Sequence, residues 1–247
     1  RSTLFPYTTL FRSGAAGGVT IPCDPLLIDL NGDGIQTTSL TSGTFFDYDG
    51  NGFAERMGWA SSDDGILVLD RNNDGIINDG SELFGDQTLL STGKRAANGF
   101  QALADLDSNA DGKIDVNDIS YSQLRIWQDT DSDGYSQESE LFTLEDVGIS
   151  SINLTATATS ITDASGNTQT LAGTFTKTDG TIGEIADYNL QSDPTYSIPA
   201  AWVTIPEDIA ALPDLQGYGN VYKLRQKLKY QNTWQRISEE ENMRRAA

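Results

Sequence analysis

Five short acidic loops, each Asp-x-(Asp/Asn)-x-(Asp/Asn)-Gly, recur within the first 140 residues, starting at Asp29, Asp47, Asp70, Asp107 and Asp129. Carboxylates at alternate positions around a sharp glycine turn converge their oxygens on one point. Any fold containing them must hold that negative charge together. A hard cation taking about six to eight oxygens at about 2.3–2.6 Å does so, and calcium fits best.

The five loops differ in how completely they are built. In the Asp129 loop, Asp129, Asp131 and Asp133 offer side-chain oxygens and Tyr135 its backbone carbonyl. Gln137 stands at position 9, and Glu140 closes the twelve-residue pattern. In the Asp107 loop, Asp107, Asn109 and Asp111 play the same parts, Lys113 supplies the carbonyl and the shorter Asp118 closes. The Asp70 loop offers Asp70, Asn72 and Asp74, with Glu82 one residue late. The first two loops have Leu40 and Gly58 at the closing position, so each reads as a glycine-rich turn or a site completed by another segment. Ile114 and Ser136 occupy position 8 of the Asp107 and Asp129 loops and are expected to face each other as a weak hand pair.

Charge and composition narrow the function. The net charge is −20, with 9 Lys and Arg against 33 Asp and Glu in residues 1–222 and a basic 223–247. So acidic a body argues against nucleic acid as a partner. There is no histidine and a single cysteine, Cys23. His/Cys zinc sites, Ser-His-Asp and Cys-His catalysis and an internal disulfide are therefore excluded. No apolar run is long enough to span a membrane.

Thr3–Ser13 read as a translated sequencing adapter and, with the Gly/Ala-rich linker up to residue 20, are set aside from fold reasoning. The chain is expected to be a fragment of a longer protein. Residues 21–190 form the module, 191–220 a proline-rich linker, and 221–247 a basic helical or disordered tail. Pro25–Leu30 and Gly65–Asp70 are strand candidates, and Gly99–Leu106, Ile119–Trp127 and Ser139–Val147 have helical spacing. Thr-rich Ser151–Ser160 and Thr168–Lys177 alternate as strands do, and Thr178-Asp179-Gly180 turns into a returning strand at Ile182–Tyr188. The expected fold class is α+β: a small calcium-loaded, monomeric domain with EF-hand-like loops flanked by short helices, plus an antiparallel β-hairpin region.

Asp24-Pro25 stands just before the first loop. An Asp carboxyl can attack its own main-chain carbonyl and close a five-membered anhydride. The departing proline nitrogen belongs to a tertiary amide that twists easily. Both reacting groups are already tethered, which makes their effective concentration high. In so Asp-rich a chain one Asp-Pro pair is expected by chance, and a second stands at Asp193-Pro194.

The ordered runs DPLLIDLNGDGI (24–35), FDYDGNG (46–52), GWASSDDGILVLD (58–70), NDGSELFGD (78–86) and LRIWQDTDSDG (124–134) resemble the self-processing module of iron-regulated RTX proteins of FrpC type. The similarity covers about residues 24–190. The resemblance implies that calcium folds the module, which then cleaves the Asp-Pro bond at its N-terminal edge. The anhydride is hydrolysed or captured by a lysine amine of a neighbouring protein as an isopeptide. Carried over, Asp24 is the nucleophile and Pro25 the leaving group. Tyr48, Asp63 and Asp64 are candidate proton donors. The resemblance also implies a secreted or cell-surface parent exported by type I secretion. Residues 206–220 are similar to the segment C-terminal to such modules in large RTX adhesins.

Two other readings remain open: a non-catalytic, calcium-stiffened spacer of a secreted adhesin, and a dockerin-like partner-binding module. All three share a calcium-conditional fold. Each ion present at about 100 times its dissociation constant adds about 2.7 kcal/mol. Two or three would exceed the margin by which many domains are stable. Far-UV circular dichroism should accordingly show a loose chain in EDTA and a cooperatively melting one in millimolar calcium; identical melts in the two buffers would refute the loop reading.

Overall fold

The computed structural model describes residues 23–200 and 207–213, together with Leu224 and Lys227. The adapter-like segment and nearly all of the basic tail lie outside these residues. Fourteen strands are described: β1 (Leu26–Ile28), β2 (Thr37–Thr38), β3 (Phe45–Phe46), β4 (Phe53–Met57), β5 (Trp59–Ala60), β6 (Gly65–Val68), β7 (Lys113–Asp115), β8 (Arg125–Trp127), β9 (Leu141–Thr143), β10 (Ile149–Asn153), β11 (Thr157–Thr162), β12 (Thr168–Lys177), β13 (Ile182–Asn189) and β14 (Ser192–Pro199). One six-residue helix, α1 (Gly99–Ala104), precedes the Asp107 loop, and a helical turn, α2, covers Glu207–Ala210.

Nine strands form one antiparallel sheet in the order β7-β10-β12-β13-β1-β6-β8-β9, with β11 added against β12. A three-stranded sheet, β14-β4-β3, and the pair β2-β5 complete the architecture. β14 crosses residues expected to be linker and pairs with β4 from Ser192↔Met57 to Pro199↔Phe53.

The large sheet is buried on both faces at its centre, and the strand period of two shows why. Leu26, Ile28, Leu67, Ile126 and Ile185 point into one core with Phe84, Phe100 and Leu103. Leu27, Ile66, Val68, Trp127 and Ala186 point into the other, with Phe46, Met57 and Trp59. Phe46, Trp59 and Trp127 meet there with ring centroids 5.2–5.7 Å apart. α1 covers the first face, and β3 and β4 cover the second.

This architecture overturns the α+β expectation. The chain is predominantly antiparallel β, and its acidic loops are flanked mainly by strands, so among the described residues no helix–loop–helix hand is built. Ile119–Trp127 is a 3-10 turn at Tyr121–Gln123 followed by β8, and Ser139–Val147 begins inside the 3-10 turn Glu138–Glu140 and continues into β9. The reason lies in the two cores. A strand buried on both faces, such as Arg125-Ile126-Trp127, carries no polar alternation, and its apolar run mimics one turn of a buried helix.

Leu27 is fully buried at the centre of the sheet, whereas Val116 is 74% exposed. Leu27→Ala should lower the free energy of urea unfolding in calcium by about 2–5 kcal/mol, and Val116→Ala should change it by less than about 0.5 kcal/mol.

Candidate functional site

The five acidic loops share one backbone. Positions four and six of every loop are left-handed: Gly32 and Gly34, Gly50 and Gly52, Asn73 and Gly75, Ala110 and Gly112, Ser132 and Gly134. In every loop the position-six glycine N–H donates to the first aspartate, at 3.0 Å to Asp29, 2.8 Å to Asp47, 2.9 Å to Asp70, 2.9 Å to Asp107 and 3.0 Å to Asp129. Loops one, three and five leave the adjacent strands β1, β6 and β8. Loop two joins β3 to β4, and loop four joins α1 to β7.

Three loops receive a closing acid on the same atom of their own chain. Glu140 accepts from Thr130 N at 2.9 Å, Asp118 from Ser108 N at 2.9 Å and Glu82 from Arg71 N at 3.1 Å, always the second residue of the loop. Glu82, although one residue late, occupies the same place as the others, because the 3-10 turn Gly80–Glu82 swings its side chain back. Asp129, Asp131 and Asp133 bring ligand atoms within 4.8 Å of one another, as do Asp47, Asp49 and Glu55. Both clusters offer oxygen alone, which suits a hard cation. Burial pushes Asp129 up to about 6, Asp47 up to about 6 and Glu55 up to about 7, so a cation held there would compete with protons.

The pairing between loops differs from the expected one. Ile114 sits in β7 opposite Ile152 of β10. Ser136 instead meets Ile77 of the Asp70 loop, whose N–H donates to Ser136 Oγ at 2.6 Å. The Asp129 loop is therefore coupled to the Asp70 loop, the element that the neighbouring strand β6 delivers. Lys113 lies across the Asp107 loop, its ammonium on Asp115 and 3.9 Å from Asp111. Gln137 Nε2 donates to Asp133 at 3.2 Å, and Tyr135 is half exposed.

Asp24 and Pro25 enter β1 at the edge of both cores. The main chain on either side is pinned: Leu190 N donates to Cys23 O at 2.7 Å, and Tyr188 N to Pro25 O at 3.2 Å. The buried Asp24 carboxyl holds two groups on Oδ1, the Tyr48 hydroxyl at 2.8 Å and Asp86 N at 2.7 Å. Tyr48 Oη also lies 2.8 Å from Asp86 Oδ1 and accepts from Asp24 N at 3.1 Å. One hydroxyl proton cannot serve two carboxylates. The arrangement closes when one of the two carboxyls is in its acid form, donating to Tyr48, which donates onward to the other. Burial, reinforced by the charges of Asp187 and Asp86, pushes Asp24 up to about 7. Burial likewise holds the Tyr48 phenol far above its ordinary range, so it stays a neutral donor.

Gly85 leaves room for this contact. A Cβ there would lie 2.7 Å from Tyr48 Oη, 2.8 Å from Asp24 O and 2.9 Å from Asp24 Oδ1. Asp187 stands behind, raised to about 6 by burial and held by Gly99 N at 2.7 Å and Thr170 Oγ1 at 2.6 Å. Of the three candidate donors, Tyr48 alone touches Asp24. Asp63 and Asp64 sit beside the first loop, where Asn31 Nδ2 donates to Asp63 at 2.9 Å and Gln36 N to Asp64 at 2.7 Å. Sequence reasoning passed over Gly85, Asp86 and Asp187. Gly85-Asp86 ends the run NDGSELFGD and was legible as a motif; Asp187 had no signal beyond a charge inside an apolar strand.

The second Asp-Pro bond is a contrasting case. Asp193 Oδ1 accepts from Thr195 Oγ1 at 2.5 Å, and its Oδ2 pairs with Arg56 at 3.0 Å. The Thr195 hydroxyl and then Arg56 hold its carboxyl below the usual range. The surroundings thus push the carboxyl of one aspartate beside a proline up and that of the other down.

Among the described residues no helix is long and apolar enough to cross a membrane. Comparison with known proteins gives a family model, the SPM domain, matching residues 26–191. Iron-regulated protein FrpA of Neisseria meningitidis serogroup C is 42% identical over 205 residues, which cover 82% of this chain and 18% of that relative. The chain thus spans less than a fifth of the relative's length. The match begins two residues after Asp24 and takes in every acidic loop and the strands between them, and by it the chain belongs to the SPM domain family.

Proposed function

We propose that this chain is a calcium-dependent self-processing module that cleaves its own Asp24-Pro25 bond, within a secreted or cell-surface protein exported by type I secretion. The observation that carries the reading is the buried Asp24 carboxyl, held on Oδ1 by Tyr48 and Asp86 beside its own proline bond. Calcium is the cation that suits the all-oxygen loops. Asp129, Asp131, Asp133, Tyr135 and Glu140 would hold one ion; Asp107, Asn109, Asp111, Lys113 through its carbonyl, and Asp118 a second; Asp70, Asn72, Asp74 and Glu82 a third. Bound ions remove the repulsion within the loops that leave β1, β6 and β8, and so stabilise the sheet that presents Asp24.

The covalent step balances on the chain's own groups. An Asp24 carboxyl oxygen bonds to the Asp24 main-chain carbonyl carbon, and the bond from that carbon to Pro25 N breaks. The carboxyl proton ends on the proline nitrogen, leaving a five-membered anhydride and a free secondary amine. Tyr48 and Asp86 occupy Oδ1, which leaves Oδ2 to attack. Tethering supplies the proximity, and the pinned backbone on both sides of the bond supplies the orientation. Water then opens the anhydride to Asp24. Alternatively, a lysine amine of a neighbouring protein attacks it, forming an isopeptide amide and releasing the other carboxylate.

Calcium added to the full chain purified in EDTA should yield fragments of residues 1–24 and 25–247 by mass spectrometry, with no break at Asp193-Pro194. Asp24→Ala should abolish the break. Gly85→Ala should slow it by about a hundredfold, because its Cβ crowds the reacting carbonyl, and the double substitution Asp129→Ala, Glu140→Ala should raise the calcium needed. An intact chain after hours in millimolar calcium leaves the calcium-stiffened spacer as the function.

The pH dependence has a definite sign. Asp24 is raised to about 7, so its acid form persists up to about pH 7 and is lost above it. That form carries the proton that Pro25 must take. At saturating calcium the cleavage rate should fall about tenfold per pH unit above neutrality. A rate that rises through the same range would assign the nucleophile to the carboxylate and the proton to another acid.

A further inference from the structure

The Asp47 loop has no closing acid of its own, since Gly58 stands at the twelfth position. A strand residue supplies a carboxylate instead. Phe53, Glu55 and Met57 share one face of β4, and all three are buried. Glu55 is the ninth residue counted from Asp47, the place that Gln137 holds in the Asp129 loop. Only 3% of Glu55 is exposed, and its Oε1 has no hydrogen-bond partner. Its carboxylate lies with those of Asp47 and Asp49, ligand atoms within 4.8 Å of one another.

Such an oxygen has given up its water and received nothing in return. None of the described ion pairs offers these three acids a cation. The nearest guanidinium in sequence, Arg56, turns away to Asp193 and lies over the Tyr196 ring at 4.6 Å. An ion is the group that satisfies the orphan oxygen and neutralises its neighbours at once. We infer that Asp47, Asp49 and Glu55 hold a calcium ion, and that this ion sets the position of Tyr48 against Asp24.

The coupling follows from the chain. Tyr48 stands between the two loop aspartates, so a metal bridging Asp47 and Asp49 fixes the backbone on both sides of it. The Tyr48 carbonyl packs against Gly80, where a Cβ would lie 2.0 Å from it, and Gly80 N donates to Asp47 O at 3.1 Å. With its main chain fixed in this way, the phenol reaches across to Asp24 and Asp86. The link to Asp24 rests on the self-processing reading above, whereas the cation site stands without it.

Calorimetric titration of the full chain with calcium, paired with the cleavage assay, tests both halves. Glu55→Gln should bind one ion fewer than the unaltered chain and, at calcium saturation, cleave about tenfold or more slowly. Tyr48→Phe should keep every ion and still cleave slowly. Where Glu55→Gln does not fold, Asp49→Asn, altered on the half-buried side of the loop, takes its place. An unchanged ion count in the folded variant overturns the site. A lost ion with unaltered cleavage overturns the coupling to Tyr48. An unaltered chain that shows the Glu55-dependent ion but never cleaves upholds the site and sinks the self-processing reading instead.

Discussion

Convergent negative charge is the constraint on which the rest of this structure depends. Five loops share the same left-handed positions and the same glycine-to-aspartate bond; four adjoin strands of the central sheet, and the second joins β3 to β4 of the small sheet. Close carboxylates repel strongly where water is excluded. Three of the loops continue directly from the neighbouring strands β1, β6 and β8. In the proposed function an oxygen-binding cation would resolve that repulsion locally, beside a sheet that packs between two hydrophobic cores. On that proposal folding and ion binding would be one equilibrium, with apolar burial on one side and the electrostatic cost on the other.

A buried carboxyl stands at the start of the same sheet. Asp24 stands where β1 begins, on a main chain pinned by β13, and the residues around it come from three separate parts of the sequence: Tyr48 from the second loop, Gly85 and Asp86 from the segment after the third, and Asp187 from β13. Burying an acid among other acids keeps it protonated. Asp193, which also precedes a proline, meets Arg56 and Thr195 and stays ionised. Two identical dipeptides thus acquire opposite chemistry from their surroundings alone.

Much of the β structure was legible locally. Leu26–Ile28, Gly65–Val68 and the Thr-rich β12 follow from apolar runs and alternation, and the turn at Thr178-Asp179-Gly180 follows from its residues, whereas the single strand expected at Ser151–Ser160 is divided between β10 and β11. The helices expected on either side of the Asp129 loop failed for a definite reason. Ile126 and Trp127 enter different cores, and periodicity cannot distinguish a strand buried on both faces from a short buried helix. β14 was concealed by its prolines. It is tolerated because it lies at the edge of its small sheet, where a missing N–H removes few ladder bonds.

By itself the sequence determined the five loops, their oxygen chemistry, the exclusion of Ser-His-Asp and Cys-His catalysis, and the Asp24-Pro25 dipeptide. Those are properties of short contiguous stretches, where spacing along the chain is also spacing in space. Tertiary structure decided which loops face each other, that Ser136 meets Ile77 rather than Ile114, and that Tyr48 and Asp86 grip Asp24. It also decided that Glu55 turns its carboxylate into the Asp47 loop. These depend on strand pairing between distant segments, and on which side chains the two cores bury. Burial sets both the pKa of an acid and the cost of leaving its oxygen unpaired, and no local pattern encodes it.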